Sequence, residues 1–228
     1  MNKDIIRRMA QVIATLLIQS IILFVSAGTL SWNWAWLFIV TGIFILVINY
    51  IVLPREVIEE RGREKKNVKK WDKVLMSINI IPILGIYILS GLDDRFSWSP
   101  DLHYSIHLIG LVGVFLGSML FTWSMVSNKF FSTMVRIQSE QGHSIAAEGP
   151  YKYVRHPGYV GFALMAIATP VALGSFYALS MSFLVMIIFI VRTALEDKTL
   201  LRELEGYEEY SKKVKYRLIP FIWLYGHI

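Results

Sequence analysis

Six apolar blocks, each long enough to cross a lipid bilayer as a helix, constrain this chain more than any other feature. They run over residues 11–30, 34–53, 74–92, 104–126, 157–175 and 176–194. Crossing the hydrocarbon core takes about 20 residues of helix. A backbone inside lipid must satisfy its own N–H and C=O groups, which leaves helices or closed barrels. The blocks are continuous rather than alternating, so they read as helices and not as barrel strands. The predicted fold is all-α, a polytopic membrane helical bundle of about six transmembrane helices. At 55% apolar residues and a mean hydropathy of +0.51, the composition exceeds the roughly 45–50% apolar content of soluble domains. The first block follows Lys3, Arg7 and Arg8 and resembles a signal peptide, but it is too long for a typical signal core and is expected to be a retained span.

Charge fixes an expected orientation. Lys3, Arg7 and Arg8 precede the first block, the 54–73 loop holds eight Lys and Arg, the 127–156 segment adds Lys129, Arg136, Lys152 and Arg155, and the tail adds six more. The intervening connections are uncharged or acidic. Under the positive-inside rule, both termini and the 54–73 and 127–156 segments face the cytoplasm. The net charge of +6 does not read as a nucleic-acid surface, because the bases are interleaved with acids and flank apolar spans. With no cysteine in the chain, disulfides, thiolate metal sites and a Cys nucleophile are excluded.

Smaller signals describe packing. Gly113 and Gly117 form a G-x-x-x-G with Gly110 nearby, a pattern that lets membrane helices approach closely. Pro82 and Pro170 are expected to kink their helices. Only a Gly174-Ser175 turn separates the last two blocks, so they form an antiparallel hairpin whose ends share the cytoplasmic side. Leu200, Leu204, Tyr207, Tyr210 and Val214 recur at helical spacing and predict an amphipathic helix on the membrane surface or over a site. Pro220, Phe221, Trp223 and Tyr225 read as an interfacial anchor. The chain divides into a four-span region, 1–126, and a catalytic region, 127–228.

Chemistry must sit in the polar segments. The 54–73 loop reads as a solvated, headgroup-facing loop. The 127–161 segment mixes His143, Gly149-Pro-Tyr151 and Arg155-His-Pro-Gly-Tyr159. That composition suits a structured binding loop, or equally a loop tied down by its own hydrogen bonds. The hairpin returns Arg192 and Glu196, an i,i+4 pair, toward His156. An ionisable group at a span's end is either a functional group or one that snorkels with Glu196 or Asp197 as partner. His103 and His107 have metal-ligand spacing, but only Asp101 is at hand as a third ligand.

The stretch from His143 to Gly161, the Arg192-x-x-x-Glu196-Asp197 motif and the tail Gly206-Tyr-x-x-Tyr210 through Pro220 together resemble the isoprenylcysteine carboxyl methyltransferase family, over about the C-terminal hundred residues. The resemblance implies S-adenosylmethionine as cofactor, bound on the cytoplasmic side beneath a lid of loop and tail. It implies cofactor contacts from Gln138, His143, Ser144, Ile145, Ala146, Tyr151, Arg155, His156, Pro157, Gly158, Tyr159 and Glu196, with Arg192 toward the substrate and Arg192 and Glu196 as the catalytic pair. Asp197 stands where the family commonly carries a second Glu. The implied substrate is a lipophilic acid reaching the site from the bilayer, among membrane lipids. Methylation of a phospholipid amine or small thiol, and a non-catalytic protein on the same scaffold, are the competing readings.

Overall fold

The computed structural model describes residues 2–220, so the anchor expected at Phe221, Trp223 and Tyr225 lies outside the described residues. In chain order the helices are α1 (Lys3–Ala27), α2 (Asn33–Val52), the short α3 (Arg55–Gly62), α4 (Lys70–Phe96), α5 (Tyr104–Val126), α6 (Pro157–Leu173), α7 (Phe176–Glu203) and the short α8 (Tyr207–Lys213). The described residues contain no strand. Helices α1, α2, α4, α5 and α7 are long and apolar enough to cross a membrane. At 17 residues, α6 reaches about 25 Å. Outward-facing positions carry Leu17, Ile21, Phe44, Ile51, Ile109 and Ile187. Water would penalise such a surface, whereas lipid solvates it. The protein is an integral-membrane helical bundle, as the apolar blocks predict.

The tightest seam joins α5 to α6, and the small residues explain it. A Cβ at Gly110 would fall 2.2 Å from the Ala172 nitrogen, one at Gly113 2.8 Å from the Ala168 Cβ, and one at Gly117 2.8 Å from the Gly161 carbonyl oxygen. The backbones touch because no side chain stands between them. Pro82 and Pro170 both lie inside helices. The α6–α7 hairpin turns at Gly174, whose φ of +82° favours glycine. Ser175 caps α7 by accepting the Ala178 N–H at 3.1 Å and donates to buried Asp93 of α4 at 2.5 Å. At the same end His107 stacks on Trp34 and lies 3.0 Å from the Ala172 carbonyl, while His103 caps α5.

Three segments depart from the sequence reading. The 54–73 stretch is not a solvated loop: α3 buries Val57, Ile58 and Glu60, and its end lies so close to α1 that a Cβ at Gly62 would sit 1.9 Å from the Asp4 carbonyl oxygen. The dense charge of the stretch hides its short apolar face. Helix α7 runs to Glu203 rather than stopping at 194, so Arg192, Glu196 and Asp197 project from one rigid helix. The tail helix is broken. Leu200 belongs to α7, Gly206 takes a left-handed φ of +78°, and α8 turns inward with Tyr207, Tyr210 and Ser211 buried. The apolar face of α8 packs onto the protein, where Tyr207 and Tyr210 line a cavity, in keeping with a helix over a site.

Candidate active site

Asp197, with 0% exposure, organises the end of the hairpin. Arg155 donates to both its carboxylate oxygens at 2.9 Å, Tyr207 Oη at 2.8 Å and Arg217 Nε at 3.0 Å. The His156 Nε2 lies 3.4 Å away. Arg155 spends its remaining nitrogen on the carbonyls of Ser211, Val214 and Lys215. The backbone repeats the tie: the N–H groups of Arg155 and His156 donate to the carbonyls of Tyr216 and Arg217 at 2.9 and 3.0 Å. One buried carboxylate thus fastens the Arg-His-Pro corner, α7 and the tail into a single body. A bidentate Arg–carboxylate pair gives such a junction fixed geometry.

A second clamp reaches across the bundle. Arg192 donates through Nε to Asp72 Oδ1 at 2.8 Å, and through Nη2 to Asp72 Oδ2 at 3.1 Å and the Thr133 carbonyl at 3.2 Å. Asp72, on the first turn of α4, also accepts the Val135 N–H at 2.7 Å. Arg192 therefore pairs with α4 rather than with Glu196 or Asp197, its neighbours on α7. Its guanidinium lies over the Tyr159 ring, 5.1 Å from the centroid. Glu196 instead accepts the Tyr159 hydroxyl, and its Oε2 is 3.8 Å from His156 Nδ1. Tyr159 and His156 stack with their planes 6° apart.

These groups surround an open cleft whose empty space, counted out to its mouth and the solvent there, is about 820 Å³. Its walls include Phe130, Phe131, His143, Ser144, Ile145, Ala146, Tyr151, Arg155, His156, Gly158, Tyr159, Arg192, Glu196, Tyr207 and Tyr210. The Tyr151 carbonyl accepts the Tyr210 hydroxyl at 2.8 Å, and burial pushes both phenols up, so they stay protonated. The stretch 143–147 has no regular structure. Among the described residues the N–H groups of Ser144, Ile145 and Ala146 make no hydrogen bond. Those peptide groups, the unpartnered Ser132 hydroxyl and the part-exposed Glu196 carboxylate are among the polar groups here with capacity to spare. Burial, and secondarily Arg136, holds the His143 imidazole below its usual range, so it is neutral at pH 7.

Most residues expected at the site converge on this cavity, but two do not line it. Gln138 is buried beneath the loop: its Nε2 donates to the Phe130 carbonyl at 2.7 Å, its N–H to His143 Nδ1 at 3.2 Å, and its Oε1 has no partner. Pro157 is fully buried as the first residue of α6. Arg155 borders the cavity with its donors largely committed to Asp197 and the tail. The sequence reading missed Asp72 and Glu60. Glu60 sits under the loop, taking Arg136 Nη2 at 3.0 Å, Gln141 Nε2 at 3.1 Å and Lys65 Nζ at 3.0 Å. Burial pushes this carboxyl up, but the hydrogen bonds outweigh it and hold it low. The only signal for Asp72 and Glu60 was an acid among many bases, which a solvated loop would also show.

Comparison with known proteins places the same segment in context. Residues 108–202 match the model of the isoprenylcysteine carboxyl methyltransferase family. The chain is 30% identical over 154 residues to a protein of Oryza sativa subsp. japonica named probable protein-S-isoprenylcysteine O-methyltransferase, covering 65% of this chain and 80% of that one. It is 33% identical over 151 residues to the protein-S-isoprenylcysteine O-methyltransferase of Saccharomyces cerevisiae, with 59% and 60% covered. The Schizosaccharomyces pombe protein of that name is 33% identical over 115 residues, with 49% of each chain covered.

Proposed function

Because this chain belongs to the isoprenylcysteine carboxyl methyltransferase family and is an integral-membrane methyltransferase, we propose that it transfers a methyl group from S-adenosylmethionine to the carboxylate of a lipophilic acid of the prenylcysteine type. The observation that carries this reading is a polar set in one cavity: the peptide N–H groups of Ser144, Ile145 and Ala146, which make no hydrogen bond among the described residues, and the Glu196 carboxylate. That set suits a ligand bearing hydroxyls, an amino group and a carboxylate. The stacked Tyr159 and His156 rings suit its cationic or flat portions.

The bound cofactor would supply an electrophilic methyl group. Glu196 would accept from the cofactor's hydroxyl or amino donors, and the N–H groups of residues 144–146 would donate to its acceptors. Arg192, oriented by Asp72, keeps its Nη1 donors for the acceptor's acid group. Ester formation at a carboxylate releases no proton, so the site needs no general base, and the tail's task is to exclude water and hold the reactants in line. The 127–228 region, completed by Asp72 and Glu60, is the catalytic unit in this reading, and the charge bias puts it on the cytoplasmic side.

The test is calorimetry followed by product analysis. Glu196→Gln should weaken S-adenosylmethionine binding by about tenfold or more, the scale of one charge-assisted hydrogen bond; unchanged affinity removes Glu196 from the cofactor. Incubation with labelled cofactor and membrane extract should give a base-labile methyl ester. A base-stable methylamine in a phospholipid would favour amine transfer.

A further inference from the structure

A second cavity, about 770 Å³ to its mouth, lies between α1, α2, α3 and α5. Its wall is mostly apolar, with Val12, Ile45, Leu46, Leu53, Phe121 and Met125. The Thr122 hydroxyl donates to Asn49 Oδ1 there at 2.7 Å. The exceptions are Arg8 and Arg61. Among the described residues, neither has a hydrogen-bonded or ion-paired acid, whereas Arg136, Arg155, Arg192 and Arg217 each have one. The Arg61 Nε is buried without a partner.

Snorkelling does not describe Arg61. Its guanidinium points inward, 5.4 Å from the ring centroids of both Phe121 and Phe131. Burial, then the charges of Arg8 and Arg192, lower its pKa to about 9, a cost that a bound anion would relieve. Phe131 also lines the first cavity. A Cβ at Gly158 would lie 2.8 Å from its ring, so the glycine leaves that ring its place. A single aromatic side chain thus separates Arg61 from the proposed cofactor cavity.

We propose that this chamber is the docking subsite through which the methyl acceptor enters, with the apolar chain among α1, α2 and α5 and the acid group held first by Arg61, assisted by Arg8, before it passes Phe131 to Arg192 beside the cofactor. The inference rests on the reading of the acceptor as a lipophilic acid. Charge complementarity selects that occupant: two cations without counter-ions at the end of an apolar chamber match an apolar tail with one anionic head. Arg61 is the stronger resting-state anion site, because Asp72 already neutralises Arg192. Arg61 therefore selects acids over neutral lipids before they meet the cofactor.

Steady-state kinetics with N-acetyl-S-farnesylcysteine, on the full chain in phosphatidylcholine nanodiscs, tests this. Arg61→Gln should raise KM about tenfold or more, with kcat changed far less and Arg61→Lys recovering part of the loss. Val12→Trp, which fills the chamber, should also raise KM. Calorimetric S-adenosylmethionine affinity should stay at the wild-type value in all three, which reports an intact fold. If the wild type methylates the acid and Arg61→Gln and Val12→Trp leave KM unchanged, the chamber is not the acceptor site and the proposed function still stands. An effect of Arg61→Gln that appears only as lost dependence on added phosphatidylglycerol makes it a lipid-headgroup site and also overturns the proposal. A wild type that methylates lipid amines but not the acid overturns both readings.

Discussion

Single buried carboxylates set the geometry of this site. Asp197 and Asp72 are each completely buried, and each takes a bidentate arginine. Removing one partner from such a pair leaves an uncompensated charge in a low-dielectric interior, which costs about 3–5 kcal/mol. Asp72→Ala should therefore destabilise the protein by that order, measured by thermal melting in detergent, and should abolish turnover by freeing Arg192 and the Val135 N–H. The double variant Asp72→Leu/Arg192→Met should recover much of the stability but none of the activity. A single variant that melts like the wild type would mean that the pair carries little of the site's architecture. At this scale the sequence was half legible. The Arg192-x-x-x-Glu196 motif drew attention to the right residues, but the partner of Arg192 is 120 positions away, and no local pattern marks it.

At the scale of elements, the loop around residues 136–147 is docked by α3. Arg136 bridges Glu60 to Glu140, and Gln141 joins the same carboxylate. The loop should therefore loosen in acid in two stages, for opposite ionisation reasons. His143 has a lowered folded pKa, so as pH falls through about 6.5 the undocked loop binds a proton that the docked loop does not, and docking weakens. Glu60, also lowered, contributes above its unfolded value near 4.3, and that contribution is lost only as pH falls further, through its folded value. Limited proteolysis of the loop should become faster between pH 7.5 and 5.5, roughly, with His143→Asn flattening that change and Glu60→Gln leaving its pH dependence in place. A rate independent of pH in this window would show that His143 does not govern docking. The docking was not readable beforehand, because α3 and the loop meet only through tertiary contacts between polar residues that look solvated.

For the whole molecule, the charge alternation predicts which face carries the chemistry. The natural chain has no cysteine, so single cysteines report position without interference. Glu148→Cys, exposed in the loop, should react with an impermeant maleimide only from the cytoplasmic side, and Asp101→Cys only from the other. Labelling of both from one side would overturn the arrangement of spans, and reversed labelling would overturn the orientation.

The length and continuity of the apolar blocks determined by themselves that the chain is a helical membrane bundle. The Gly174-Ser175 turn determined that Arg192 and Glu196 return beside His156, and the glycines of α5 marked a face for close helix approach, which the fold fills with α6. Those features are local, and backbone hydrogen bonding in lipid leaves few alternatives. Tertiary structure alone decided the rest: that the tail breaks at Gly206 and turns inward, that Asp72 and Asp197 hold the arginines, that α3 supports the loop, and that Arg61 has no acid partner among the described residues. Each depends on which charges meet across the fold, and a charge's partner is set by three-dimensional proximity in a medium where an unpaired ion is costly, not by its neighbours in the chain.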